Sequence, residues 1–195
     1  MNFLAHLYLS DDTPDSIVGN MLGDFSGTDF REQYNAEISR GIIRHRKIDI
    51  FTDHHPIFLR SKKRISNDYR LLKGIMIDIF YDHYLAKNWR DYSETPLEEF
   101  CEYVYGIFWD YRPSLPSRLQ RLIPYMVSEN WLLSYREVDG IASVLGGMSR
   151  RISRKNHLAH GAEELQKHYH EFEADFREFF PELIAYVDSL PEDLG

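Results

Sequence analysis

Between Gly74 and Trp89 the chain reads GIMIDIFYDHYLAKNW, a run spaced for a helix and apolar on nearly every side. Such a helix has to lie inside the fold, covered by other elements, because no face of it suits water. Yet it carries Asp78, Asp82 and His83. At 3.6 residues per turn the two carboxylates lie about 40° apart on one face. Ile75, Leu85, Ala86 and Trp89 share that arc, and His83 sits at its edge. A carboxylate buried alone is costly enough that it protonates, finds a partner or takes a cation.

The rest of the chain keeps the helical period, with no convincing strand alternation. Thr13 and Pro14 open a helix in TPDSIVGNMLGDF, closed near the GD pair. Further helices are expected over about 35–51, 57–72, 74–91 and 96–109, with Gly74 as a joint. After the YRPSLPSR loop, others follow near 119–135, 138–148 and 163–179. The expectation is an all-α, single-domain helical bundle spanning 1–195.

Apolar residues make up 43% of the chain and aromatics 14%, enough for a real core and too many for disorder. The lone Cys101 excludes an internal disulfide framework and fits a reducing compartment. MNFLAHLYLS has no basic leader and only a short apolar run, so the reading is a cytoplasmic protein without a membrane span. A net charge of −8 argues against nucleic acid as a partner. That charge is uneven: residues 40–73 hold ten Lys/Arg against three Asp. A basic patch on an acidic chain points to one anionic partner met at one place.

A second acidic stripe accompanies the first. In HRKIDIFTD, His45, Asp49 and Asp53 recur every four residues on one helical face, with Ile42 among them. Ligands projecting from facing helices are how bundles build metal centres; a surface salt-bridge face beside Arg44 and Arg46 is the structural alternative. His6 in FLAHLYL and Asp24 in GNMLGDF complete eight Asp/His candidates before residue 84. Taken singly, His6 reads as a core histidine and Asp24 as a turn residue. A mixed carboxylate and imidazole set suits Mn²⁺, Mg²⁺ or Fe²⁺ better than structural zinc. His157, His160, His168 and His170 share no face with carboxylates and read as solvated. The aromatics Phe100, Tyr103, Tyr105, Phe108 and Trp109 read as core. Phosphate loops and nucleophile elbows are absent, and Cys101 has no evident base.

The ordered blocks MNFLAHLYLS, GNMLGDF, GIIRHRKIDIFTD, DIFYDHYLAKNW and SENWLLSYREVDGI resemble the acyl carrier protein phosphodiesterases, or holo-ACP hydrolases, from Met1 to about Arg151. The resemblance implies a helical fold related to the HD phosphohydrolases and a divalent metal, Mn²⁺ first, with Mg²⁺ or Fe²⁺ as alternatives. It also implies cleavage of the phosphodiester joining 4′-phosphopantetheine to a serine of acyl carrier protein. The HD dipeptide is missing; Asp82-His83 stands in reverse order. Carried over by blocks, Asp24 is the foremost catalytic residue, and His6, Asp24, Asp78 and Asp82 are metal ligands. His45, Asp49, Asp53 and His83 are ligands or supports of ligands, His83 is also counted as catalytic, a histidine being the expected proton donor, and Arg46, with Arg44 and Lys47, cradles phosphate. Arg60, Lys62, Lys63 and Arg64 are assigned to docking of the acidic carrier, with SRRISRK as a second candidate stretch for the same task. The alternatives are an HD-type nucleotide phosphohydrolase acting on guanosine polyphosphate and a non-catalytic helical binding protein.

Overall fold

The computed structural model describes residues 1–191, and all regular structure among them is helical. Twelve α-helices follow one another: α1 Phe3–Tyr8, α2 Pro14–Leu22, α3 Phe30–Gln33, α4 Ala36–His54, α5 Pro56–Arg64, α6 Lys73–Lys87, α7 Leu97–Tyr111, α8 Ser117–Ser128, α9 Trp131–Ser134, α10 Val138–Arg151, α11 Gly161–Lys167 and α12 Tyr169–Asp188. Short 3₁₀ turns join several of them.

Helix α6 occupies the centre, as its apolarity demands. From Met76 to Ala86 every residue except Asp78 is buried. Helices α1, α5, α10 and α12 pack around it. Against α12 the seam is aromatic: Tyr81 and Tyr84 meet Phe176, Tyr81 also meets Phe179, and Phe80 meets Phe172. Edge-on and tilted ring pairs of this kind add to the free energy of plain burial. The two helices α5 and α12 are further locked by Asp175. Although buried, it accepts from Ser61 Oγ at 2.6 Å, Arg60 Nε at 2.8 Å and Arg64 Nε at 3.1 Å.

Helices α2 and α4 cross with their backbones in contact. A Cβ on Gly41 would lie 2.7 Å from the Ser16 carbonyl oxygen and 2.8 Å from Gly19 Cα. One on Gly19 would lie 2.9 Å from Gly41 Cα. Only glycine fits at either position. The helices open with side-chain caps, Thr13 Oγ1 accepting from the Ser16 amide and Asn35 Oδ1 from the Ile38 amide.

The departures from sequence expectation have local causes. The helix expected over 57–72 stops at Arg64. Ser66 Oγ accepts from the Asp68 amide, a local bond that competes with helix continuation, and a 3₁₀ turn takes over at Asn67–Leu72. The 119–135 segment divides because Asn130 adopts φ 46°, ψ 56°, a left-handed conformation asparagine tolerates. The last segment divides at His168 and runs on to Asp188. Gly74 lies within the first turn of α6 and is not a separate joint. Of the aromatics read as core, Tyr105 and Phe108 are buried and Phe100 partly so, whereas Tyr103 and Trp109 are each 45% exposed. Cys101 is buried. No described helix is long and apolar enough to cross a membrane.

Candidate metal centre

One turn beyond the Gly19–Gly41 crossing, α2 ends at Gly23 and α4 presents His45. The same closeness persists there. A Cβ on Gly23 would stand 2.6 Å from His45 Cβ and nearer still to its ring. The glycine therefore lets the turn carrying Asp24 lie flat on the imidazole. Asp24 Oδ1 comes to 3.4 Å from His45 Nε2. One turn along α4 from His45, Asp49 turns its Oδ2 to the same Nε2 at 3.2 Å.

Helix α1 supplies the second imidazole. His6 stacks on His45 with ring centroids 3.7 Å apart and planes within 13°. Its Nε2 lies 3.1 Å from Asp49 Oδ1 and 3.2 Å from the Met1 carbonyl oxygen. Both Nδ1 atoms are buried without a partner, so each ring is engaged at its Nε2 edge. The potential ligand atoms of His6, His45 and Asp49 all lie within 4.8 Å of one another. Asp24, 57% exposed, stands at the open side.

Two stacked imidazoles cannot share positive charge cheaply, and their surroundings divide them. Burial and the charge of His45 bring His6 down to about 4. Burial would lower His45 too, but hydrogen bonds to Asp24 and Asp49 carry it up to about 9. Asp49 is driven far below the carboxylate range despite burial, by His45, His6 and the Met1 ammonium. Asp24 moves the same way: burial opposes the shift and His45 prevails. The result is one proton on two imidazoles, between carboxylates that stay ionised. Two neutral-capable nitrogens and carboxylate oxygens converging at a half-open edge form a donor set that fits a divalent cation of the Mn²⁺, Fe²⁺ or Zn²⁺ kind.

Of the residues singled out from sequence, His6, Asp24, His45 and Asp49 come together. Asp78 joins them at one remove: the Met1 ammonium lies 3.1 Å from Asp78 Oδ1 and 3.2 Å from Asp49 Oδ1. Asp82 is otherwise employed, its oxygens accepting from the Leu4 and Ala5 amides at 2.8 and 3.0 Å. His83 is also outside the cluster, Nδ1 at 2.8 Å from the Tyr135 carbonyl and Nε2 at 2.8 Å from the Tyr169 hydroxyl. Asp53 is exposed, on the same α4 stripe. Arg46 donates to the Ser26 and Gly27 carbonyls and covers the Phe30 ring at 4.7 Å; Arg44 pairs with Asp11 at 2.7 Å. Arg60 and Arg64 are taken up by Asp175, leaving Lys62 and Lys63 of that group at the surface. His157, His160 and His170 are exposed, and His168 is half-buried. Sequence reasoning missed Gly23, whose only signal was its place beside Asp24.

A family model described as acyl carrier protein phosphodiesterase matches residues 1–183. Proteins named acyl carrier protein phosphodiesterase are similar over nearly the whole chain. The relative from Photorhabdus laumondii is 35% identical over 190 residues, 97% of this chain and 96% of its own. That from Yersinia enterocolitica is 35% identical over 186 residues, 95% of this chain and 96% of its own. That from Escherichia coli O6:H1 is 36% identical over 185 residues, 94% and 96% of the two chains. No solved structure matches the chain, so the relation to the HD phosphohydrolase fold stays with the sequence resemblance. By the extent of the family match and the identity of these relatives, the chain belongs to the acyl carrier protein phosphodiesterase family, whose name describes a hydrolase of phosphodiester bonds.

Proposed function

We propose that the protein is a divalent-metal-dependent, cytoplasmic phosphodiesterase that hydrolyses holo-acyl carrier protein to the apo form and free 4′-phosphopantetheine. The observation that carries this reading is the convergence of His6, His45 and Asp49, with Asp24 at the open edge, in a chain of this family. His6, His45 and Asp49 would hold the ion, with Asp24 beside them at the open edge. A divalent ion held there would lower the pKa of water and neutralise charge on phosphoryl oxygens, with Mn²⁺ the first choice.

The residues themselves perform the remaining tasks. Asp24 is ionised and half open to solvent, so it orients a water by accepting its hydrogen bond and can take its proton. Loading the site would require His45 to give up its second proton and both neutral rings to hold their remaining proton on Nδ1, so that each Nε2 could donate an electron pair. Asp78 and the Met1 ammonium hold Asp49 from behind, fixing the carboxylate that both imidazoles address.

Purified protein incubated with holo-carrier and Mn²⁺ tests this, read by mass spectrometry of the carrier. Loss of the prosthetic group's mass, abolished by chelator and by Asp49→Ala, is expected. An unchanged carrier with Mn²⁺, Mg²⁺ and Fe²⁺ alike would refute the activity.

A further inference from the structure

An apolar surface lies uncovered among lysines where α5 meets the 3₁₀ turn Asn67–Leu72 and the start of α6. Leu71 is 95% exposed, and Leu59 and Ile75 are 40% and 39% exposed. Around them Lys62, Lys63 and Lys73 join Leu59 and Asn67 in lining an open cleft of about 390 Å³. Arg70, next to Leu71, has φ 44° and ψ −116°, an unfavourable conformation for a residue with a side chain. Such strain persists only where the surrounding structure enforces it, and it concentrates at sites that bind or switch. Asp68, whose carboxylate accepts from Ser66, Glu164, bonded to the Ser66 amide, and Glu163 are the carboxylates near this segment. The cations of Arg60 and Arg64 are spent on Asp175 and Glu178, so the free charge is that of Lys62, Lys63, Arg70 and Lys73.

We infer that Leu71, with Leu59 and Ile75 and the surrounding lysines, is the docking surface for the protein substrate. It receives an acidic face of the carrier that also offers apolar contact. This rests on the reading that a carrier protein is the substrate. Two observations favour that partner. The patch is cationic on a chain of net charge −8, which draws an acidic protein to this face, as the exposed Arg150, Arg151, Arg154 and Lys155 do at another. The bond to be cut joins phosphorus to the carrier's own serine, so the carrier's surface must meet the enzyme right beside the metal centre. Ile75 lies one turn from Asp78 on α6, and α5 with Leu59 begins directly after the α4 stripe of Asp49 and Asp53. Of the other exposed large apolar residues, Ile50 lines a separate cleft with Phe51, His54, His55, Pro56 and Tyr186 that has no lysine or arginine in its lining. Tyr103, Trp109 and Tyr125 stand on α7 and α8, which supply no residue to the centre.

Binding of labelled holo-carrier, by fluorescence anisotropy in metal-free buffer, is compared with its Mn²⁺-dependent turnover for four proteins: wild type, Leu71→Asp, Lys62→Glu/Lys63→Glu and Tyr125→Asp. Leu71, Lys63 and Tyr125 are exposed and Lys62 is half-buried, its ammonium 5.4 Å from the Phe58 ring, and unchanged thermal melts check the fold. Leu71→Asp and the lysine double variant are expected to raise Kd and KM about tenfold or more with kcat unchanged, as loss of a central contact does. Tyr125→Asp is expected to match wild type. Equal Kd for wild type and both patch variants, weakening by Tyr125→Asp alone, or no binding by wild type would overturn the assignment. Wild type that binds carrier but leaves it uncut would sink the activity reading instead, and the docking surface would still be decided by the Kd values.

Discussion

Replacing Gly23 by alanine adds one methyl group at the tightest point of the centre. The backbone raises no objection, for Gly23 has φ −49° and ψ −41°, right-handed helical values that suit alanine. Loss of glycine's freedom in the unfolded chain even favours the variant by roughly 0.5–1 kcal/mol. The objection comes from His45. The new Cβ would lie 2.6 Å from His45 Cβ, and closer to the ring, where ordinary contact begins at 3.4 Å. Ring and turn must therefore part by about 1 Å. Overpacking of this kind costs about 1–3 kcal/mol, so the net loss of stability is at most about 2.5 kcal/mol. For a chain of this size that lowers Tm by less than about 10 °C.

The effect on the centre is far larger, since His45 is the ring on which Asp24, Asp49 and His6 all bear. A displacement of about 1 Å in a catalytic constellation costs on the order of 100-fold. Gly23→Ala is thus expected to melt near the wild-type temperature, to bind Mn²⁺ more weakly and to cut holo-carrier about 100-fold more slowly. Gly106→Ala supplies the control, because a Cβ there meets nothing within 4 Å. Titration of Mn²⁺ followed by free-ion EPR, with carrier turnover on the same samples, measures both quantities. Wild-type Mn²⁺ affinity and turnover in a folded Gly23→Ala protein would refute the account of the centre as a turn laid on an imidazole.

Two other outcomes follow from the same geometry. His45 holds its proton more tightly folded than unfolded, about 9 against the ordinary 6.5. Its contribution to metal-free stability is therefore whole below pH 6.5 and lost as pH rises through about 9. Because an ion must displace that proton, apparent Mn²⁺ affinity should climb about tenfold per pH unit towards that value, with one proton released from His45, as calorimetry in buffers of different ionisation enthalpy will show. Asp175→Ala, away from the centre, removes the acceptor shared by Ser61, Arg60 and Arg64; with both arginines free to turn to water, the loss is about 2–3 kcal/mol and Tm falls by roughly 4–12 °C. Turnover per folded molecule should stay at the wild-type level, which differential scanning calorimetry beside a steady-state assay can check.

The fold was legible where one residue type settles a backbone choice. Thr13-Pro14 fixed the start of α2, Asn35 that of α4, and the apolar face of 74–89 the central helix. It was not legible where competing local bonds decide, as at Ser66, or where a short apolar segment is helical only through a distant partner. Helix α1 is of that second kind. Its six residues are too few to hold a helix alone, and the carboxylate that caps it belongs to Asp82, far along the chain. The centre divides in the same way. The spacing of His45 and Asp49 announced a shared face, whereas the stacking of His6 on His45 depends on where α1 docks, which periodicity does not encode.

That dependence answers why the most apolar helix carries two carboxylates. Asp82 accepts two amides at the start of α1, and Asp78 meets the Met1 ammonium one turn earlier on α6. Burial pushes Asp82 up to about 7, against the pull of those amides, so holding the charge there is costly. The cost is tied to a position: residues 1–8 are held to the bundle by these two acids, by Asp49, by the Tyr135 hydroxyl that accepts from Asn2 and by the Tyr92 carbonyl that accepts from Tyr8. The two acids alone take the backbone amides that open α1 and the Met1 ammonium on the α6 side. Residues 1–8 also carry His6. The buried acids of α6 thus act on the centre through α1, as positioning groups for an imidazole they do not touch. An apolar pair in their place would fill α6 equally well and leave the Leu4 and Ala5 amides unpaired inside the core. The helix bearing His6 would then have no fixed place from which to meet His45.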